Sequence, residues 1–351
     1  MVFFNVKLFP LLIIPFNSVW STSSNSISES LLQCPSTHLN HSNSSKEIIL
    51  TRNSSAYSSV LQSSIQNLRF LNNSTPKPEV IVTPFHESYV QAAVICSKKH
   101  GIQIRFRSGG HDYEGLSYVS YDPFIIIDLF NLQTIHIDIE NESAWVASAA
   151  TLGQLCYSIV QNGKVHGFPA GSCPTVGVGG HISGGGFVTI FRKYGLAADN
   201  TSQQISMGEE LFWAIRGGGG SSFAVSLAWK LRLVPVPPSV TVCKIEKTTE
   251  EGATKLFSKW QVIADKLHED LFLHLVVEVA NEASTTDGKT IKVSFDSLFL
   301  GPVEKLLLLT QDKFPDLSLD RSNCTEMSWI QSVMHLRRNH DANTSYAQAS
   351  I

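Results

Sequence analysis

Two glycine-dense stretches hold the side chains best suited to chemistry. Arg107-Ser-Gly-Gly-His-Asp-Tyr-Glu-Gly115 carries His111, and Gly171-Ser-Cys-Pro-Thr-Val-Gly-Val-Gly-Gly-His181-Ile-Ser-Gly-Gly-Gly186 carries Cys173 and His181. Imidazole nitrogen and thiolate sulfur are strong nucleophiles. Glycine runs let backbone N–H groups approach an anion, because a chain without Cβ can fold into a concave nest of donors. Both stretches therefore read as phosphate cradles. Neither is a Rossmann fingerprint: G-x-G-x-x-G fails at Ile182 when counted from Gly177, at Thr189 from Gly184 and at Ser222 from Gly217. A G-x-x-x-x-G-K-[ST] loop is also absent. Two readings stay open, dinucleotide binding through a non-Rossmann fold and glycines that serve only turns. A third run, Leu211-Phe-Trp-Ala-Ile-Arg-Gly-Gly-Gly-Gly220, adds to the same pattern.

The elements around these runs have an α/β grammar. EVIVTP reads as a strand, HESYVQAAVICSKKHG as a helix closed by Gly101, and IQIRFRSGG as a strand that empties into glycines. FIIIDL and AWVASAA are further strands. Thr151 with Gln154 forms a capping box opening the helix LGQLCYSIVQN, which Gly163 closes. After the third glycine run, FAVSLAWKLRLV reads as helix or strand, and prolines near Pro235–Pro238 mark a boundary. EEGATKLFSKWQVIADKL is then an amphipathic helix, LFLHLVVEVA and KTIKVSFDSLFLG are strands, and the tail from His335 shows neither periodicity nor a core pattern.

Composition limits what the chain can be. At 351 residues, 43% hydrophobic and 16% charged, it is long and apolar enough for about two packed domains. A net charge of −3 without a basic run argues against a nucleic-acid or anionic-membrane partner. MVFFNVKLFPLLIIPFNSVW reads as a secretory signal peptide, broken by Pro10, Pro15 and Asn17 and too short to span a bilayer. The mature form is expected off the membrane, secreted to the cell wall or apoplast. Sequons at Asn40, Asn43, Asn53, Asn72, Asn73, Asn141, Asn200, Asn323 and Asn343 agree with export and with a glycoprotein. The 6 cysteines include no C-x-x-C pair, which disfavours zinc ribbons, and some should be bridged in an oxidising compartment.

Taken in order, the three glycine motifs closely resemble those of the plant berberine-bridge-enzyme-like flavoproteins, members of the vanillyl-alcohol oxidase superfamily. The resemblance runs from about Leu31 to about Val333. It implies an α+β chain: a PCMH-type FAD-binding domain of two α/β subdomains at 75–238, then an incomplete α+β substrate domain at 239–336. A signal peptide at 1–22, an N-terminal cap at 23–74 and an irregular tail at 337–351 complete that division.

By the same resemblance FAD is the cofactor, attached through His111 to the 8α methyl and through Cys173 to C6. Outside this motif Cys173 would read as core filler or half of a disulfide. Arg107, Ser108, Gly109, Gly110, Gly115, Gly177, Gly179, Gly180, Ser183 and Gly184 match cofactor-binding positions. His181 matches the histidine near flavin N1 and the C2 carbonyl, where a donor would stabilise reduced anionic flavin. Tyr194 and Tyr113 match aromatic positions beside the flavin and are the candidate catalytic residues, Tyr194 polarising a substrate hydroxyl. Val176 sits where family members admit or block oxygen, and valine leans toward oxidase behaviour. Cys34 and Cys96 match the family disulfide, which leaves Cys156, Cys243 and Cys324 expected free. No metal is expected.

The implied activity is hydride transfer from an alcohol, saccharide or alkaloid-type small molecule to FAD, with oxygen as electron acceptor. The alternative is a truncated, catalytically inactive member that at most binds. Three departures bear on that choice. TSQQIS after Asn200 replaces a longer segment, Val188 stands where a second glycine is usual, and the chain ends before the rest of the substrate domain.

Overall fold

The computed structural model describes residue 34 and residues 48–202, 208–220, 222–281 and 288–341. The expected signal peptide, most of the cap before Ile48, the sequons at Asn40, Asn43 and Asn343, and the part of the TSQQIS segment after Ser202 lie outside the described residues.

Strand β1 (Ile49–Thr51), helix α1 (Tyr57–Ser63), β2 (Val80–Val82), helix α2 (Glu87–Lys99), β3 (Gln103–Arg107) and β4 (Phe124–Asp128) build the first layer. Its sheet runs β1-β2-β4-β3, parallel at β2/β4 and β4/β3 and antiparallel at β1. All five residues of β4 are buried. A central parallel strand is covered on both faces, and hence FIII is a continuous apolar run. Helix α2 starts where His86 Nδ1 accepts the Ser88 N–H at 3.3 Å. It ends in Lys98 and Lys99, whose charge suits the negative helix end, and Gly101 turns away at φ +65°. Buried Cys96 on this helix is bonded to Cys34, as the resemblance implies.

Next come β5 (Ile135–Asp138), β6 (Ser143–Ala147), helix α3 (Leu152–Asn162), β7 (His166–Gly167), and helices α4 (Val178–Ser183) and α5 (Phe191–Tyr194). They are followed by β8 (Thr201–Ser202), helix α6 (Glu209–Ile215), β9 (Ala228–Arg232) and β10 (Val234–Pro235). The second sheet is antiparallel in the order β5-β6-β9-β8, so the segment that read as helix or strand is strand. The capping box of α3 is formed: Thr151 Oγ1 accepts the Gln154 N–H at 3.3 Å and Gln154 Oε1 accepts the Thr151 N–H at 2.8 Å. Leu152, Leu155, Cys156 and Ile159, one face at helical spacing, are buried. Burial pushes the Cys156 thiol up to about 12.

Beyond the prolines lie β11 (Val240–Thr248), helix α7 (Ala253–Ile263), β12 (Leu271–Asn281), β13 (Lys289–Phe299), helix α8 (Val303–Lys313), β14 (Cys324–Met327) and helix α9 (Trp329–Asp341). Their sheet runs β12-β13-β11-β14, all antiparallel, and α7 and α8 supply Leu256 and Leu306 to a core with Leu273 and Phe295. The prolines mark a change of sheet without a break in packing, because Val242, Leu298 and Trp329 share one core with Phe168, Leu231 and Val236.

Three expectations need correction. Cys243 and Cys324 are not free: they face each other across β11 and β14 and are disulfide-bonded, 81 positions apart in sequence. The tail from His335 is not irregular throughout, since α9 continues to Asp341 and Leu336 is 3% exposed. Finally, the Asn200 sequon is closed to a glycan, because Asn200 is 1% exposed. Its amide donates to the Tyr194 and Leu196 carbonyls while its oxygen accepts from Arg232. No described helix is long and apolar enough to cross a membrane.

Candidate functional site

Strand β3 delivers Ser108 to His111, and the segment leading into α4 delivers Cys173 to Gly177; the two runs cross in contact. A Cβ on Gly109 would lie 2.4 Å from the Gly177 nitrogen, and one on Gly177 would lie 1.8 Å from Ser108 Oγ. Ser148 fastens the crossing, its carbonyl accepting Ser108 Oγ–H at 2.7 Å and the Gly179 N–H at 2.9 Å. Gly110 has φ +70°, and a Cβ there would strike the Ser64 carbonyl at 1.8 Å. Gly115, also at φ +70°, packs under Phe70, and a Cβ on Gly179 would meet Ser148 at 2.7 Å. These glycines serve close chain approach. Gly180 and Gly220 differ, for nothing lies within 4 Å of where their Cβ would be. Gly184 is intermediate, with the Gly180 carbonyl 3.2 Å from its would-be Cβ.

The crossing brings the two nucleophiles to a single hydroxyl. His111 Nε2 is 2.9 Å from Thr175 Oγ1, and Cys173 Sγ is 3.7 Å from the same oxygen. Burial lowers the His111 pKa, with the Thr175 backbone opposing, so the imidazole is neutral at pH 7. Cys173 is exposed and unbonded, whereas the other free thiol, Cys156, is buried. Thr175 was not singled out in the sequence; its only signal there is a place two residues after Cys173.

His181, on α4, faces the same glycine run, a Cβ on Gly186 being 2.9 Å from its Nε2. That nitrogen is buried with no hydrogen-bond partner among the described residues, and burial pushes the His181 pKa down to about 4. An unpaired buried ring nitrogen is costly unless a ligand completes it. Ser183, two residues on, is internally satisfied, donating to the Gly179 carbonyl at 2.7 Å. Its own carbonyl accepts the Gly217 N–H at 2.8 Å, which joins the third glycine run to the site.

Arg107 does not reach this site. It is 0% exposed, and its guanidinium is consumed by Asp128 Oδ2 at 2.5 and 3.1 Å and by the Val60 and Leu61 carbonyls at 2.7 Å. A buried cation must be paired internally, and four of its five N–H groups clamp α1 to β4. Tyr194 donates its hydroxyl proton to the Pro235 carbonyl at 2.5 Å, and burial raises its pKa. Tyr113 is 86% exposed, and its carbonyl accepts from the Asn67 amide and the Arg69 guanidinium. Val176 packs on the α3 core. Among the described residues no group of three or more His, Cys, Asp or Glu could hold a metal.

The chain is similar to known proteins in sequence and in fold. A family profile described as FAD binding domain matches residues 78–203. The chain is 55% identical over 298 residues to tetrahydroberberine oxidase of Berberis wilsoniae, covering 82% of this chain and 56% of that protein. To berberine bridge enzyme-like 18 of Arabidopsis thaliana it is 49% identical over 317 residues, covering 87% and 58%. The solved structure of Phl p 4, a grass pollen allergen with glucose dehydrogenase activity, superposes at TM-score 0.80 with 41% identity, covering 88% of this chain and 63% of that one. The chain thus spans somewhat under two thirds of the length of these relatives.

The residues present fit FAD on two structural grounds: the orphaned His181 nitrogen and the open space beside Gly180 and Gly220, both in the glycine runs that flank the pair His111 and Cys173. Over the span it shares with its relatives, this chain belongs to the FAD-binding berberine-bridge-enzyme-like family.

Proposed function

We propose that this chain is an FAD-dependent oxidoreductase that holds FAD covalently through His111 and Cys173 and oxidises a small alcohol, saccharide or alkaloid-type substrate, with oxygen as the final acceptor. One observation carries the reading. Two nucleophiles 62 residues apart in sequence are brought to the same hydroxyl by glycines that tolerate no Cβ at the crossing. When bound, FAD supplies the two-electron acceptor.

The chain's own residues then bind and orient. A neutral His111 and an accessible Cys173 anchor the cofactor, and the unpaired His181 nitrogen offers it a polar contact. Gly180 gives it close approach to the α4 backbone. The Tyr194 hydroxyl, its proton given to Pro235, keeps lone pairs that can accept a hydrogen bond from a substrate O–H. A raised pKa keeps that phenol protonated, so Tyr194 orients a substrate and does not deprotonate it. Tyr113 presents an open ring for contact. Substrate class is supported by relatives, which include a tetrahydroberberine oxidase and an allergen with glucose dehydrogenase activity. Secretion as a glycoprotein is supported by the apolar amino-terminal stretch, the sequons and the two disulfides.

A second reading, FAD binding without turnover, is favoured by the tyrosines. Among the described residues no hydrogen bond joins either side chain to His111 or Cys173, and the Tyr194 proton is already committed. Anaerobic mixing of the purified protein with alcohols, oligosaccharides and benzylisoquinoline-type amines separates the two. Bleaching of the flavin by one class, reversed on admitting oxygen, supports catalysis. Bound flavin that no class bleaches supports the second reading.

A further inference from the structure

Thr175 stands between the two nucleophiles, and its hydroxyl has one proton to give and two lone pairs to receive. Two hydrogen-bond chains through it are chemically consistent. In the first, His111 Nε2–H donates to Thr175 Oγ1, and the Thr175 O–H donates to the Cys173 sulfur. His111 then carries its lone pair on Nδ1, and the sulfur is a thiolate. In the second, Cys173 S–H donates to Oγ1, the Thr175 O–H donates to Nε2, and Nδ1 holds the imidazole proton. Both nucleophiles are reactive in the first arrangement and neither is in the second.

We propose that the Thr175 hydroxyl couples His111 and Cys173, so that one reversal of its hydrogen bonds readies both attachment points together. The step balances. From the second arrangement to the first, the S–H proton passes to Oγ1, the Oγ1 proton passes to Nε2 and the Nδ1 proton leaves to solvent. One proton is lost and no electron moves. The 2.9 and 3.7 Å separations place both partners within hydrogen-bond reach of the shared oxygen.

Among the described residues no charged side chain forms a hydrogen bond or salt bridge with either member of the pair. The influences on the His111 imidazole are burial and the Thr175 backbone. The neighbouring Asp112 carboxylate accepts the Glu114 and Leu116 N–H groups, and the nearby Arg107 is held by Asp128. Thr175 is therefore a positioning residue for both attachments, acting through His111 and Cys173.

The first readout rests on the covalent reading given above; the second does not. The full chain and its Thr175→Val and Thr175→Ser forms are expressed with FAD, and the tryptic peptides bearing residues 111 and 173 are weighed. Coupling predicts flavin on both peptides in the wild type and in Thr175→Ser, and a fall of about tenfold on both together in Thr175→Val. Loss at only one residue, or none, overturns the coupling.

If the wild type carries flavin on neither peptide, the covalent reading fails by itself, and iodoacetamide labelling of Cys173 against pH tests the coupling alone. Cys173 is the one accessible thiol, since Cys156 is buried and the other four are bonded. The labelling midpoint should rise by about one pH unit in Thr175→Val and in His111→Ala, a tenfold change in the thiolate equilibrium. It should stay put in Thr175→Ser. Superposed wild-type and Thr175→Val profiles reject the proposal.

Discussion

Replacing Gly177 and Gly180 by alanine, each in turn, separates the glycines that hold the fold from those that admit a cofactor. At Gly177 the new methyl would lie 1.8 Å from Ser108 Oγ and 2.5 Å from the Gly109 nitrogen. Ordinary contact for carbon is about 3.5–4.0 Å, so the crossing must open by about 1 Å. Overpacking of this kind costs roughly 1–3 kcal/mol, or at most about 2 °C in Tm for each kcal/mol in a chain of this size. The same 1 Å would pull His111 and Cys173 apart, and flavin attachment should fall with stability.

At Gly180 nothing lies within 4 Å of the added methyl, and the residue is inside α4. Glycine to alanine at a helical position gains about 0.5–1 kcal/mol. Gly180→Ala should therefore keep or raise Tm while lowering the flavin-to-protein ratio. Because bound FAD stabilises by mass action, Tm is compared between the flavin-free fractions, by circular dichroism. Wild-type flavin content in Gly180→Ala would refute the assignment of that open space to the cofactor. Wild-type Tm in Gly177→Ala would refute the tight crossing.

Other expectations can be checked on the same material. Non-reduced peptide mapping should show the Cys34–Cys96 and Cys243–Cys324 crosslinks, and Cys243→Ala with Cys324→Ala should lower stability by up to about 4 kcal/mol in chemical denaturation. Buried His181 has its pKa lowered from 6.5 to about 4, so the unfolded chain takes up a proton there before the folded one does. Its contribution is full above pH 6.5 and is lost as pH falls toward 4, on the order of 3 kcal/mol in all; His181→Gln should flatten that part of the stability profile. In secreted material the Asn200 peptide should carry no glycan, because its amide is sequestered; a glycosylated Asn200 would mean that segment folds differently.

Much of the layer that holds the site was legible in the sequence because local rules decide it. The buried run at Phe124–Asp128, the Thr151 capping box and the helix ending before Gly101 each follow from a handful of neighbouring residues. What escaped depends on contacts distant in sequence. Cys243 meets Cys324 only once the register of β11 against β14 is set. Strand β5 was missed because IHID exposes more than it buries and alternates poorly. The glycines looked alike in sequence, yet their surroundings divide them into those pressed against another chain and those facing open space. Arg107 matched a cofactor motif, but its buried guanidinium spends four of five N–H groups on Asp128 and the α1 carbonyls. Thr175 gained significance only when His111 was folded against it.

The most direct test of the account is the fate of the flavin when the purified protein is precipitated with acid, a treatment that releases any cofactor not held by a covalent bond. The account predicts a yellow pellet from the wild type and from His111→Ala and Cys173→Ala singly, and a colourless pellet with free flavin in the supernatant from the double variant. A colourless pellet from folded wild-type protein, or a yellow one from the double variant, would contradict the assignment of His111 and Cys173 as the two points that hold FAD.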